Sequence, residues 1–233
     1  MVLISNKNIY ILFLAEENFI YNYRDRNNVA SRASENMAEK FDLQQVVSRL
    51  EGLRTKLVYD SHRALRSLLF YHILPAFSSK NLFIAVFSDT MHRRLEKTYE
   101  SIAKKSPEVA ELIDKANVIK IGVRKETAFG KLYEFVTKES LWLGRLFGIM
   151  ECLGEDDLVI LYGFSLIPMM YGSKSIGSVL RLFDSLPVKL TLLVECPEES
   201  YNEEIARLTE SLYDVVLRVE RCDEPGFEGI YKI

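Results

Sequence analysis

The sequence predicts a three-layer α/β/α domain built on a mainly parallel β-sheet, with an antiparallel hairpin at the C-terminus. From residue 41 onward, short apolar runs of strand length alternate with stretches in which apolar residues recur at helical spacing. Strands separated by helices imply right-handed crossovers between parallel strands, which place helices against the sheet. A chain of 233 residues, 48% of them hydrophobic, is long enough to form such a core without disulfides.

The individual elements follow in order along the chain. Apolar stripes predict helices near residues 43–50, 65–73, 95–102 and 109–116, and one long helical region at 128–153. Apolar runs predict strands at residues 57–59, 82–87, 118–121 and 158–162, of which the last is the most apolar and is expected to be central. Helices near 176–183 and 205–212 and strands at 189–195 and 215–220 follow. The closing segment 229–233 can pair with the preceding strand through a turn at Pro225 and Gly226.

Asparagine is unevenly distributed and divides the chain near Met37. Seven of the ten asparagines lie in the first 36 residues, whereas the rest is poor in amides, a composition typical of thermophilic proteins. We therefore predict an N-terminal extension or arm at residues 1–36 and one α/β domain at 37–233. The arm is either an appendage outside the core, including sequence translated upstream of a usual start at Met37, or a segment whose strand at 9–14 adds to a sheet edge of another subunit.

Charge and cysteine usage narrow the functional classes. The 30 basic and 33 acidic side chains give a net charge of −3, which provides no general attraction to nucleic acid. Cys152, Cys196 and Cys222 are odd in number and lack CxxC spacing, which favours a reducing, cytoplasmic setting. The longest uncharged stretch, at 158–173, is shorter than a membrane span. We expect no membrane association.

The glycine positions argue against a nucleotide-binding loop. No glycine occurs between Gly52 and Gly122, so neither GxxxxGK[ST] nor GxGxxG can follow the first strand. The segment 163–167 begins like a nucleophile elbow but has Ile167 in place of its second glycine. No complete catalytic or metal-binding constellation is present, so we expect no cofactor and no metal, and the sequence leans against enzyme activity without deciding it.

Polar residues nevertheless follow several strands and predict a cleft at the carboxyl edge of the sheet. We call this predicted group the strand-end cleft; its members are Asp60, Ser61, His62, Arg63, Asp89, Thr90, His92 and Glu195. In the competing interpretation, Ser61 and Thr90 are helix N-caps and the two aspartates are capping or turn residues. If the cleft is open, Arg63 can hold an anion weakly.

Two further groups of residues are candidates for a binding surface. Arg93, Arg94 and Lys97 form the densest basic patch, but interleaved glutamates are typical of a solvated helix face rather than a nucleic-acid groove. The second group is a loop of Pro168, Met169, Met170 and Tyr171 after the most apolar strand. Methionine and tyrosine there suit contact with a protein or peptide, and core packing is the equally weighted alternative.

Four segments carry a resemblance to a known family: 56–60 (KLVYD), 83–90 (FIAVFSDT), 117–122 (NVIKIG) and 158–165 (LVILYGFS). In this layout, residues 41–219 resemble a RecA/KaiC-like ATPase domain of the P-loop NTPase fold. They are most similar to an uncharacterised archaeal family, typical of Thermococcales, that lacks the Walker A phosphate loop. The resemblance implies a degenerate ATPase.

Compared residue by residue, the resemblance implies that this chain lacks residues that the family uses for catalysis. Tyr162 stands where the family's magnesium-binding strand ends in the Walker B aspartate. Asp89 matches the carboxylate that activates water in KaiC-like proteins, and Glu195 ends the strand that senses the γ-phosphate. Without a phosphate loop, these carboxylates have nothing to act upon.

Three functional hypotheses follow. The favoured one is a non-catalytic domain that binds a protein or peptide, as a regulatory subunit or a homo-oligomer. The alternative is a nucleotide-binding protein or enzyme with an unorthodox site around Asp60, His62, Arg63 and Asp89. The third is a DNA-binding recombinase-like protein that uses Arg93 and Arg94.

Overall fold

We describe residues 2–6, 9–13, 43–137, 142–172, 175–198, 209–221 and 231–232 of a computed structural model. The strands found there are β1 (Val2–Asn6), β2 (Ile9–Phe13), β3 (Arg54–Tyr59), β4 (Asn81–Phe87), β5 (Asn117–Gly122), β6 (Lys131–Thr137), β7 (Asp157–Tyr162), β8 (Thr191–Pro197), β9 (Val215–Arg221) and β10 (Tyr231–Lys232). The helices are α1 (Leu43–Ser48), α2 (His62–Leu68), α3 (Leu74–Ala76), α4 (Asp89–Lys105), α5 (Pro107–Asp114), α6 (Trp142–Met150), α7 (Leu166–Tyr171) and α8 (Ile176–Ser185). A π-helical turn (Leu69–Ile73) joins α2 to α3.

All these strands belong to one sheet in the order β1-β2-β10-β9-β3-β8-β7-β4-β5-β6. The seven strands from β9 to β6 are parallel to one another. With helices packed against it, this sheet is consistent with a three-layer arrangement of the Rossmann or RecA-like kind. The predicted fold class is confirmed, and β10 pairs antiparallel with β9 as the predicted hairpin requires.

Each face of the parallel sheet supports its own apolar core. In β4, Ile84 and Val86 point to the first face, and Ala85 and Phe87 point to the second. This alternation on a strand buried on both sides explains the continuous apolar run in the sequence. Helices α1, α2, α4 and α5 cover the first face, and α6, α7 and α8 cover the second.

The long helix predicted at residues 128–153 is wrong in its first half, because β6 occupies residues 131–137. The spacing of Leu132, Phe135 and Val136 suits a helix, but a bulge in the pairing between β5 and β6 also fits it to a strand. Val136 is buried in the second core, and the Tyr133 ring meets the Phe83 ring edge to face at 5.2 Å. The second half is helical, as α6.

The N-terminal strands extend the sheet of their own chain. β2 pairs antiparallel with β9 at Leu12 and Phe13, and parallel with β10 at Ile9 and Tyr10. The apolar strand predicted at 9–14 therefore adds to a sheet edge within this chain. Pairing with another subunit and the division at residue 36 remain predictions. Residues 14–42, including Met37, lie outside the described ranges.

Two other expectations can be placed on the structure. No helix in the described part of the chain is long and apolar enough to cross a membrane. Cys152 is exposed and Cys196 is buried, and both are free thiols, while Cys222 lies outside the described residues. The cytoplasmic setting remains a prediction.

Removing residues 1–36 tests the role of the N-terminal strands. The truncated chain loses β1 and β2 and leaves the backbone of β9 unpaired at Leu217 and Arg218. We expect the free energy of unfolding to fall by about 1–3 kcal/mol and self-association to rise, because an uncovered strand edge is a template for pairing. Denaturant unfolding and light scattering measure both quantities. If the free energy of unfolding and the self-association are both unchanged, the arm neither stabilises the sheet nor covers its edge.

Candidate functional site

The carboxyl edge of the sheet contains a topological switch point between β4 and β7. These strands are neighbours, yet the helix after β4 packs on the first face and the helix after β7 packs on the second. Ligands of open α/β sheets bind in the crevice that such a divergence creates. The polar residues predicted to form the strand-end cleft therefore lie at the appropriate edge.

The turn between β3 and α2 and the first two residues of α2 hold four of the predicted cleft residues. Asp60 is exposed, and its backbone N–H donates to the Val219 carbonyl at 3.4 Å. Ser61 occupies the N-cap position of α2, although its side chain accepts no capping bond. His62 begins the helix, its ring 5.0 Å from the Tyr59 ring, and Arg63 is exposed.

The turn between β4 and α4 is strained at Ser88. This residue has φ 93° and ψ 149°, and it is the one non-glycine residue with positive φ in the described ranges. Backbone of this kind costs about 1–3 kcal/mol. The Ser88 hydroxyl accepts a bond from the Met91 N–H at 3.3 Å, so Ser88 caps the helix. The interpretation of Thr90 as the cap is wrong, since Thr90 lies exposed in the first turn.

Asp89 joins β4 to the loop after β5. Its carboxylate accepts bonds from the backbone N–H groups of Val123 at 2.9 Å and Arg124 at 3.4 Å, and it lies 3.4 Å from the buried Lys120 ammonium. A Cβ on Gly122 would stand 2.9 Å from the same carboxylate, which explains the glycine. Burial acts to raise the pKa of Asp89, but these donors and Lys120 outweigh it and lower the pKa. Asp89 is therefore ionised, and we call its contacts with Val123, Arg124 and Lys120 the Asp89 latch.

His92 belongs to the same latch rather than to an open site. Its ring stacks on Phe129 at 5.0 Å, and its Nε2 lies 3.1 Å from the Thr127 hydroxyl. Burial lowers the pKa of His92 to about 4; the charge of Lys120 acts in the same direction and that of Asp89 opposes it. The imidazole is therefore neutral at pH 7 and serves as a core residue.

Glu195 is the most deeply buried of the predicted cleft residues. It is 2% exposed and accepts bonds from the Tyr59 hydroxyl at 2.5 Å and the Gly163 N–H at 2.7 Å. Burial raises the pKa of Glu195, against the effects of both hydrogen bonds and of Arg94. Because its folded pKa is raised, the stability linked to this group is full below its unfolded pKa and is lost as pH rises through the folded pKa.

The structure therefore divides the predicted cleft into two groups. Asp89 and His92 lie around Lys120 near β5, while His62 and Glu195 lie near Tyr59 at the end of β3. Sequence reasoning missed the residues that complete them, which are Tyr59, Arg66, Lys120 and Gly163. One signal was available for Arg66, which follows His62 by one helical turn and bonds to its carbonyl at 3.0 Å.

A buried lysine on the second face does not form an open site. The Lys56 ammonium donates to the Thr209 hydroxyl at 3.3 Å and lies 5.9 Å from the centre of the Tyr213 ring. The adjoining cavity, lined in part by Ser165, Thr209 and Tyr213, has a volume of about 20 Å³. That volume is enough for one water molecule and too small for a substrate.

Helix α7 presents apolar side chains to solvent at the carboxyl edge. Met169, Met170 and Tyr171 are 60%, 57% and 47% exposed, whereas Pro168 is buried. The segment is a short helix and not the predicted loop. The alternative interpretation, that this segment packs in the core, is therefore wrong for the two methionines and the tyrosine. It is correct for the proline.

Comparisons with known proteins bear on the fold alone. No protein family matches this chain, and no curated protein matches it. A solved structure from Pyrococcus horikoshii OT3, described as the structural study of project PH0250, is similar with a TM-score of 0.54 and 16% identity. The match covers 80% of this chain and 96% of that one. Among the described residues, no group of three or more potential ligands can hold a metal ion.

Asp89→Asn tests the latch between β4 and β5. The amide cannot balance the charge of buried Lys120, so we expect the free energy of unfolding at pH 7 to fall by about 1–3 kcal/mol. Because the folded pKa of Asp89 is lowered, this contribution is present above the unfolded value and is lost as pH falls through the folded one. The difference between the two proteins should therefore shrink below about pH 4.

Asp60→Asn is the matched control, because Asp60 is an exposed aspartate that follows β3 at the same edge of the sheet. We expect it to change stability by less than about 0.5 kcal/mol. Denaturant unfolding at a series of pH values measures both variants. An equal effect of the two substitutions would refute the latch.

Proposed function

We propose that this chain is a non-catalytic RecA/KaiC-like domain that works by binding an apolar segment of a protein partner. The observation that carries the proposal is the exposure of Met169 and Met170 at the carboxyl edge, where this class of sheet binds its ligands. The RecA/KaiC-like assignment rests on the sequence resemblance, with which the parallel sheet is compatible.

The connection after the first parallel strand supports a loss of catalysis. Only Asp60 and Ser61 separate β3 from α2, and neither is a glycine. A phosphate loop wraps an anion with successive backbone N–H groups and needs a longer, glycine-rich turn. A triphosphate therefore has no such cradle at this strand end.

The carboxylates at the strand ends support the same conclusion. Asp89 is held by two backbone N–H groups and Lys120, and Glu195 is held by Tyr59 and Gly163. A general base must reach the proton that it abstracts from a substrate or water. Both groups instead hold strands and loops together.

The chemistry of the α7 surface favours a protein partner. Methionine side chains are flexible and polarisable, so they adapt to apolar surfaces of different shapes. Methionine and tyrosine are enriched in the cores of protein interfaces. Ile167 and Pro168 are the buried residues of this helix, and Ile167 packs into the second core, which anchors the helix to the sheet.

A peptide selection with matched variants tests this proposal. We expect a displayed random peptide library to yield apolar sequences that bind the full chain. Met169→Ser/Met170→Ser should weaken their binding at least about tenfold. Val188→Ser should not, because Val188 is 84% exposed but lies before β8 at the opposite edge. Self-association that the double substitution abolishes would also support the proposal, with a second copy as the partner.

Two results would contradict the proposal. One is selected binding that is insensitive to the methionine substitutions. The other is magnesium-dependent ATP hydrolysis by the purified chain that Asp89→Asn abolishes, which would establish the enzyme alternative.

A further inference from the structure

A small cavity lies on the second face of the sheet, beside α7. Leu161 of β7 and Val194 of β8 line it, and they pair in one row that continues to Lys56 of β3. Pro168 of α7 and Thr209 line it as well. Its volume is about 20 Å³, so it can hold a ligand no larger than one water molecule.

Ser165 gives this cavity a hydroxyl group without a hydrogen-bond partner among the described residues. The residue is 2% exposed, so bulk solvent does not satisfy the hydroxyl, and it does not cap the helix that follows. A buried hydroxyl without a partner is destabilising, and the large majority of buried polar side chains have one. The orphaned hydroxyl therefore indicates a small ligand that forms hydrogen bonds.

Thr209 supplies a second buried hydroxyl to the same cavity. Its oxygen accepts a hydrogen bond from the Lys56 ammonium at 3.3 Å. The two hydroxyls come from different strands' sides of the cavity, since Ser165 follows β7 and Thr209 bonds to Lys56 on β3. Buried waters bind where two to four polar groups converge, whereas purely apolar cavities stay empty.

We propose that this cavity binds one water molecule, which links the Ser165 hydroxyl to the Thr209 hydroxyl. Through Thr209 the link continues to the Lys56 ammonium on β3. The water therefore ties the start of α7 to a central strand and helps to anchor the helix that carries Met169 and Met170. The proposal is independent of the protein-binding function, because it holds whether or not these methionines contact a partner.

A high-resolution crystal structure of the full chain tests the site directly. We expect one peak of density that lies within about 2.7–3.2 Å of both Ser165 Oγ and Thr209 Oγ1. The absence of a peak, or a peak that reaches only one of the two hydroxyls, would overturn the proposal.

The stability of Ser165→Ala tests the site in solution, because the two cases differ in sign. If the hydroxyl bonds to a water molecule, its removal loses a hydrogen bond, and we expect the melting temperature to fall by about 2–4 °C. If the hydroxyl has no partner, its removal relieves an unpaired buried group, and the melting temperature stays the same or rises. The second result would contradict the proposal.

Thr55→Val is the matched control. Thr55 carries the other buried hydroxyl without a partner in the described ranges, and it lies beside Leu193 on the first face, away from the cavity. We expect the melting temperature of this variant to stay the same or to rise, because an unpaired group is lost. A fall as large as that of Ser165→Ala would show that the effect does not depend on the cavity, and the proposal would fail.

Hydrogen exchange measures the anchoring of α7. The N–H groups of Leu166 and Ile167 donate to the carbonyls of Gly163 and Phe164 at 3.1 and 3.0 Å. In Ser165→Ala we expect these two amides to exchange about fivefold faster, while the amides of β5 keep their rates. Unchanged exchange at both amides, or an equal acceleration in β5, would overturn the anchoring role of the water.

Discussion

The buried Glu195 carboxyl group holds together the carboxyl ends of three adjacent strands. It extends from β8, accepts the Tyr59 hydroxyl at the end of β3, and accepts the Gly163 N–H just after β7. Gly163 has φ 82°, and a Cβ there would stand 2.8 Å from the Met91 side chain and 2.9 Å from the Phe87 carbonyl. The glycine therefore lets the chain after β7 pass close to the turn after β4. This close approach shapes the crevice between the two strands.

The Asp89 latch closes the other side of this edge. It ties the start of α4 to the loop after β5 and uses a strained Ser88 turn to bring the carboxylate into position. Two of the acids that follow strands at this edge, Asp89 and Glu195, are therefore held by groups of the chain itself. Exposed side chains at the same edge include Asp60, Arg63, Thr90 and the methionines of α7.

Much of this fold was predictable because buried parallel strands have a strong sequence signal. The runs that became β4, β5 and β7 are continuous and apolar, and no other element explains them. The edge strand β6 was missed because only one side of it pairs with a neighbour, so Tyr133 and Glu134 interrupt its apolar pattern. The cleft residues were predictable as a group at one edge. Their division was not, because it depends on pairs far apart in sequence, such as Tyr59 with Glu195 and Asp89 with Lys120.

The ionisation of Glu195 tests most directly whether the strand ends are closed around a buried carboxyl group. Carbon NMR of isotope-labelled glutamate side chains, assigned with Glu195→Gln, follows this group through a pH titration. We expect a pKa above the usual glutamate value of about 4.3, because burial outweighs the bonds from Tyr59 and Gly163. A pKa at or below the usual value would mean that burial does not outweigh the bonds from Tyr59 and Gly163 and the charge of Arg94, so that the carboxyl group is not closed off from water as the structure has it. The edge would then be open, and the case for a non-catalytic domain would fail.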